Sequence, residues 1–163
     1  MKKIIKISAL ILAAAAILAA CGKIGEYKEI SMYDLSKAMT SAGSLEDMAY
    51  ASSEDSNAEE LLSNVAETDY SKIDSFFISY AQDGSISADE IVVIRVKDTA
   101  YLTQVRDMLK KHVDYRISLY STYGPKEVPK LNNADIFTKD SYAVLIVADS
   151  TKEIHSAFDN FTA

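Results

Sequence analysis

Glu90 and Arg116 pose the sharpest chemical question in this sequence. At about 100° per residue, Leu102, Val105, Leu109, Val113, Tyr120 and Tyr123 fall on one apolar helical stripe, and Arg116 lies near its middle. A guanidinium cannot shed its proton, so on such a face it must snorkel to water or meet a carboxylate. Glu90 alternates with Val92, Ile94 and Val96, which places it on one strand face with three branched aliphatics. The expectation is a partly buried Glu90–Arg116 ion pair between strand and helix. It has two readings: a structural pair that sets helix register, or an anion-binding arginine aligned by its glutamate.

Other chemistry is less well supported. His112 sits at the edge of the same stripe and His155 beside the core face of the last helix. Neither has the spacing of a zinc set or stands with a serine in a nucleophile elbow, so no metal and no catalytic residue is assigned. The run Asp83-Gly84-Ser85-Ile86-Ser87-Ala88-Asp89-Glu90 imitates the second half of an EF-hand loop. Counting back, however, places Ser79 and Ala81 at the first and third ligand positions, and alanine offers no side-chain oxygen. A hairpin turn accounts for the same residues. Five scattered glycines form no phosphate loop, and no cofactor is implied. Carboxylates abound, but abundance is not the paired geometry that glycoside cleavage needs. Between Ala38 and Ser71 there is no lysine or arginine, which reads as a solvated acidic face or else as a site for a cation or basic partner. Tyrosine dominates the aromatics, ten against five phenylalanines and no tryptophan. Tyr115, Tyr120 and Tyr123 cluster near the end of one helix, as a rim for stacking sugars or peptides or as the amphipathic edge of a core.

The single cysteine carries the most specific signal. Lys2, Lys3 and Lys6 precede an apolar run from Ile7 to Ala20, broken only by Ser8 and shorter than a bilayer span. Leu18-Ala19-Ala20-Cys21-Gly22 resembles a lipobox, in which the cysteine thiol receives diacylglycerol and the chain is cut just before it. The expected organisation is a removed signal peptide over 1–20, a lipidated tether over 21–30 and one domain over 31–163. Lipid on Cys21 would hold that domain at the extracytoplasmic face of a cell membrane. With its sole thiol acylated, the domain must stay folded by packing alone. Loss of the three leading lysines changes the formal charge from −7 to −10, with 14 basic residues against 24 acids. Such a surface repels nucleic acid and anionic headgroups, so nucleic acid is not an expected partner.

The elements that position these residues can be read from periodicity and caps. Ser31 and Asp34 resemble a capping box for a helix stopped by Gly43, and a strand is expected within Leu45–Ser52. A short helix over Asn57–Val65, capped by Asn57, comes next. Strands over Ile73–Tyr80 and Glu90–Lys97 form a hairpin through Gln82–Ser85. Asp98 caps a helix from Thr99 to Tyr123, which Gly124 and Pro125 end. A loop runs to Asn133, and a second hairpin joins Asp135–Thr138 to Tyr142–Ala148. Ser150 and Glu153 form a capping box for a last helix with Ile154, Ala157, Phe158 and Phe161 on one face. The class is α+β: a mostly antiparallel sheet of four to five strands with helices packed against it, built around two strand-strand-helix units. Ile91–Val96 and Ala143–Ala148, the most continuously apolar runs, should lie centrally.

Several of these features occur together in a known order. Glu90 before Ile91-Val92-Val93-Ile94, a long helix with Arg116, Tyr123-Gly124-Pro125, Asn133-Ala134 and the apolar strand Tyr142–Val147 follow one another. Over roughly residues 31 to 160 this order resembles a family of small lipoproteins of Gram-positive bacteria known only as a domain of unknown function. The resemblance implies the outer face of a cytoplasmic membrane and supplies no activity, substrate or catalytic residue. The reading is a membrane-anchored binding or accessory module whose partner is an envelope protein, a peptide or a cell-wall ligand. The alternative is a cell-envelope hydrolase with unidentified acid and base. A cleft with several acids of shifted pKa would favour the enzyme, and an exposed apolar patch would favour the binder.

Overall fold

A computed structural model describes residues 30–163; Cys21 and the expected signal peptide, lipobox and tether up to residue 29 lie outside the described residues. The chain runs α1 (Met32–Ala42), β1 (Met48–Ser52), α2 (Ala58–Ser63), β2 (Ile73–Ala81) and β3 (Glu90–Val96). It continues with α3 (Leu102–Tyr123), α4 (Val128–Asn132), β4 (Asp135–Lys139), β5 (Tyr142–Val147) and α5 (Thr151–Phe161). The five strands form one sheet in the order β1-β2-β3-β5-β4, every neighbouring pair antiparallel. The class is α+β.

Helices cover both faces of this sheet, which explains the unbroken apolar runs of β3 and β5. Antiparallel sheets commonly leave one face to water and alternate polar with apolar residues; here both faces of β3 and β5 are covered, with only Arg95 partly exposed. Val92, Ile94, Val96, Leu145 and Val147 pack with Leu62 of α2, Val105, Leu109 and Val113 of α3, and Leu131 of α4. The alternate residues Ile91, Val93, Val144 and Ile146 pack with Leu35 and Met39 of α1 and with Ile154 and Phe158 of α5. The two strand-strand-helix units therefore send their helices, α3 and α5, to opposite faces.

Local chemistry departs from the sequence expectations at several points. The segment expected as loop before Asn133 contains α4, with Pro129 in its first turn, where a missing N–H costs nothing. Ser150 does not cap α5; its hydroxyl donates instead to Gly43 O at 3.1 Å, tying α5 to the end of α1. Asn57 likewise makes no side-chain cap on α2. Gly43 ends α1 with right-handed torsions, and it is Ser44 that takes the left-handed conformation (φ 51°). Gly43 is needed for space: a Cβ there would lie 2.6 Å from Ile154 Cδ1. Ser31 does cap α1, accepting from Asp34 N at 3.2 Å. Asp98 accepts from Ala100 N at 2.9 Å, but in a 3-10 turn over Thr99–Tyr101 that precedes α3.

The register fixes two ends of the sheet. Ala81, Glu90, Val147 and Asp135 share one end, where the 82–89 loop joins β2 to β3. Ser52, Ile73, Val96 and Tyr142 share the other, where Ile30, the first described residue, borders a recess with Ser52, Asp74 and Arg95.

Candidate functional site

Glu90 opens β3 opposite Tyr80 and Val147 and turns its side chain to the α3 face of the sheet. There Oε2 accepts from Arg116 Nη1 at 2.7 Å and meets His112 Nε2 at 2.9 Å. A carboxylate can only accept, so His112 Nε2 carries a proton. Positions 112 and 116 stand one helical turn apart on the same side of α3, which is how both reach one oxygen. Arg116 Nη2 donates to Ala88 O at 3.1 Å, and its guanidinium lies 5.5 Å from the Tyr120 ring centroid. The Glu90 side chain is 7% exposed. Burial pushes its carboxyl up, but the His112 hydrogen bond and the Arg116 charge overcome this and hold it below its ordinary value. Glu90 and Arg116 thus meet under cover, with both guanidinium contacts directed inward.

A second cluster grips the same segment from α4. Lys130 Nζ lies 2.8 Å from Asp89 Oδ1, 2.9 Å from Glu127 Oε2 and 3.3 Å from Ser87 Oγ. Glu127 Oε2 also accepts from Ala88 N at 2.9 Å. Burial depresses the Lys130 ammonium, but the hydrogen bonds to Asp89 and Glu127 raise it further than burial lowers it. Burial likewise pushes Glu127 up, while Ala88 N and Lys130 bring it down on balance. Tyr120 completes the clamp, its hydroxyl donating to Gly84 O at 2.7 Å with Ser87 O at 3.2 Å. Side chains from α3 and α4 thereby hold the backbone from Gly84 to Glu90. Asp83 stays local: its Oδ1 accepts from Ser85 N at 2.9 Å and lies 2.5 Å from Ser85 Oγ, in a loop flanked by strands.

The three tyrosines expected as one rim divide among three settings. Tyr120 is 8% exposed and belongs to the core, whereas Tyr123 is 80% exposed, outside the buried stripe to which the helical projection assigned it. Tyr115, also exposed, borders a recess of about 270 Å³ with His112 and Met108. Tyr123 lines a separate recess of about 330 Å³ with Leu119, Tyr120, Gly84 and Ser85. Tyr115, Leu119 and Tyr123 recur every fourth residue and are all exposed, so α3 presents an apolar edge to solvent. Ile86, in the loop beside Tyr120, is exposed as well.

Sequence reasoning missed His112 as a partner of Glu90, although its four-residue spacing from Arg116 was the available signal. It also missed Lys130, because the short helix that carries it lacks a periodic apolar stripe. His155 Nδ1 lies 2.6 Å from Asp135 Oδ2 and its ring stacks on Phe137 at 3.8 Å between centroids, bracing β4 against α5. In the acidic stretch, Asp55 accepts from Ser52 N at 2.7 Å and Asp69 from Ser71 N at 3.1 Å, so both carboxylates serve turns. Five described carboxyls, Asp69, Asp83, Glu90, Glu127 and Asp159, have displaced pKa values, and all five move down. Groups so held ionised are poor proton donors near neutrality.

Fold and site together define an α+β domain with charged residues knotted inside and aromatic residues turned out along one long helix. The chain belongs to the DUF4358 family, described as a domain of unknown function, whose model matches residues 59–148, just over half of the sequence. That span contains Glu90, His112, Arg116, Glu127 and Lys130 and leaves α1, β1 and α5 outside. No curated protein matches the chain. No solved structure matches it either.

Proposed function

We propose that this chain is a membrane-anchored lipoprotein of the Gram-positive type, and that its domain is a non-catalytic binding or accessory module of the cell envelope. The observation that carries the binding reading is the inversion along α3: Arg116 and His112 turn inward to Glu90, while Tyr115, Leu119 and Tyr123 turn outward. Solvent-facing apolar side chains set close together are what a partner covers. A hydrolase that used a carboxyl as general acid would need it held protonated near neutral pH, and the displaced carboxyls move the other way. The Leu18–Cys21 sequence supports the anchor, and residues 21–30 would keep the domain within roughly 30 Å of the bilayer.

Intact-mass analysis of protein from its native cells, with an alkyne-fatty-acid label, tests the anchor. The mature chain should begin at Cys21 and carry diacylglycerol, and Cys21→Ser should abolish label and leave the leader attached. An unlabelled Cys21 in the wild type, or an uncut leader, would overturn the anchored reading.

A further inference from the structure

We propose that the recess between Tyr123, Leu119, Tyr120 and the Gly84–Ser85 turn receives an apolar side chain presented by a positively charged peptide segment of another envelope protein. This deepens the binding-module reading and rests on it.

Size, wall chemistry and charge each narrow the occupant. A volume of about 330 Å³ lies at the small end of ligand pockets and suits one or two side chains. Two rings and a leucine form most of the wall, and the Tyr120 hydroxyl proton is already committed to Gly84 O. A sugar brings several hydroxyls, each needing a partner, whereas an aliphatic or aromatic side chain brings none. The same end of the sheet carries exposed Glu46, Asp47, Asp83 and Asp149, against Lys126 and Lys152. Lys130 and Arg116, also at this end, are enclosed, the first by Asp89 and Glu127 and the second by its pairing with Glu90. With the mature chain at −10, the field around the recess attracts a basic segment and repels an acidic one. Location agrees with this: α3 runs the length of the domain, and its Tyr123 end lies opposite the sheet end near Ile30. An anchor on Cys21 would therefore attach through the end of the domain opposite the recess.

The test uses the full chain with phosphatidylcholine vesicles and a fluorescent Lys-Lys-Phe-Leu-Lys-Lys peptide, read by anisotropy. Saturable binding is expected, weakened at least about tenfold in Leu119→Ser and Tyr123→Ser and unchanged in Tyr33→Ser at the other end. Counterparts with Glu for Lys, or Ser for Phe and Leu, should bind at least about tenfold more weakly. No saturable binding, binding that survives both recess substitutions, or equal binding of either counterpart overturns the proposal. So does competition by chitobiose alone, or self-association of the chain that Leu119→Ser abolishes. Flotation with the vesicles reads the anchor separately: protein that floats without binding refutes only the docking site, and protein that binds without floating refutes only the anchor.

Discussion

At Glu90 Oε2, one oxygen atom is approached by two nitrogen donors from consecutive turns of α3. Removing either donor leaves a buried carboxylate short of a partner, a far larger penalty than the pair's own net worth. Arg116→Met should therefore destabilise the domain by about 3–5 kcal/mol, read from the denaturation midpoint, because the buried Glu90 charge is then left with His112 alone. Glu90→Leu combined with Arg116→Met should recover part of that loss, since no buried charge remains uncompensated. Acid should act through the same residue. The folded-state pKa of Glu90 lies below its ordinary value of 4.5, so its contribution is present above that value and disappears as pH falls through the folded pKa. Stability measured from pH 6 downward should fall, and Glu90→Gln should show a shallower fall. A slope identical to that of the wild type would mean that the carboxylate is not held by the contacts described.

At the level of elements, α1 and α5 approach so closely at Gly43 that any side chain there meets Ile154. Gly43→Ala should lower stability by about 1–3 kcal/mol through overpacking, seen as a reduced melting temperature with the far-ultraviolet spectrum preserved. No torsional argument predicts this, since Gly43 has right-handed torsions that alanine adopts freely. The α4 helix acts through Lys130, which pulls Asp89 and Glu127 together at the mouth of β3. Lys130→Met should raise hydrogen exchange at Ala88, whose amide is bonded to Glu127, more than at the central β3 amides. Equal protection throughout would show that the clamp is dispensable. Leu119→Ser, by contrast, alters an exposed position and should stay within about 0.5 kcal/mol of wild type.

For the whole molecule, charge and topology are separable. The formal charge of −7 can be counted without coordinates, and its sign alone disfavours polyanionic partners. Apart from α4, the element order, the two hairpins and the central place of Ile91–Val96 were also legible, because periodicity and turn chemistry are local properties of the chain. The link between Glu90 and Arg116 could be anticipated as well, since an arginine on an apolar stripe demands a carboxylate. What the one-dimensional pattern could not supply were facts about neighbours distant in sequence. Projection on a helical wheel placed Tyr120 and Tyr123 on the same stripe, yet α3 outruns its packing surface and only Tyr120 finds the 84–87 backbone beneath it. Ser150 and Glu153 matched a cap locally, but the Gly43 carbonyl, which only the packing of α1 against α5 delivers, took the serine hydroxyl. Local spacing thus determined which segments form and which side chains require partners. Tertiary packing decided which partners they meet and which apolar residues remain uncovered, because burial depends on what the rest of the chain brings to each surface.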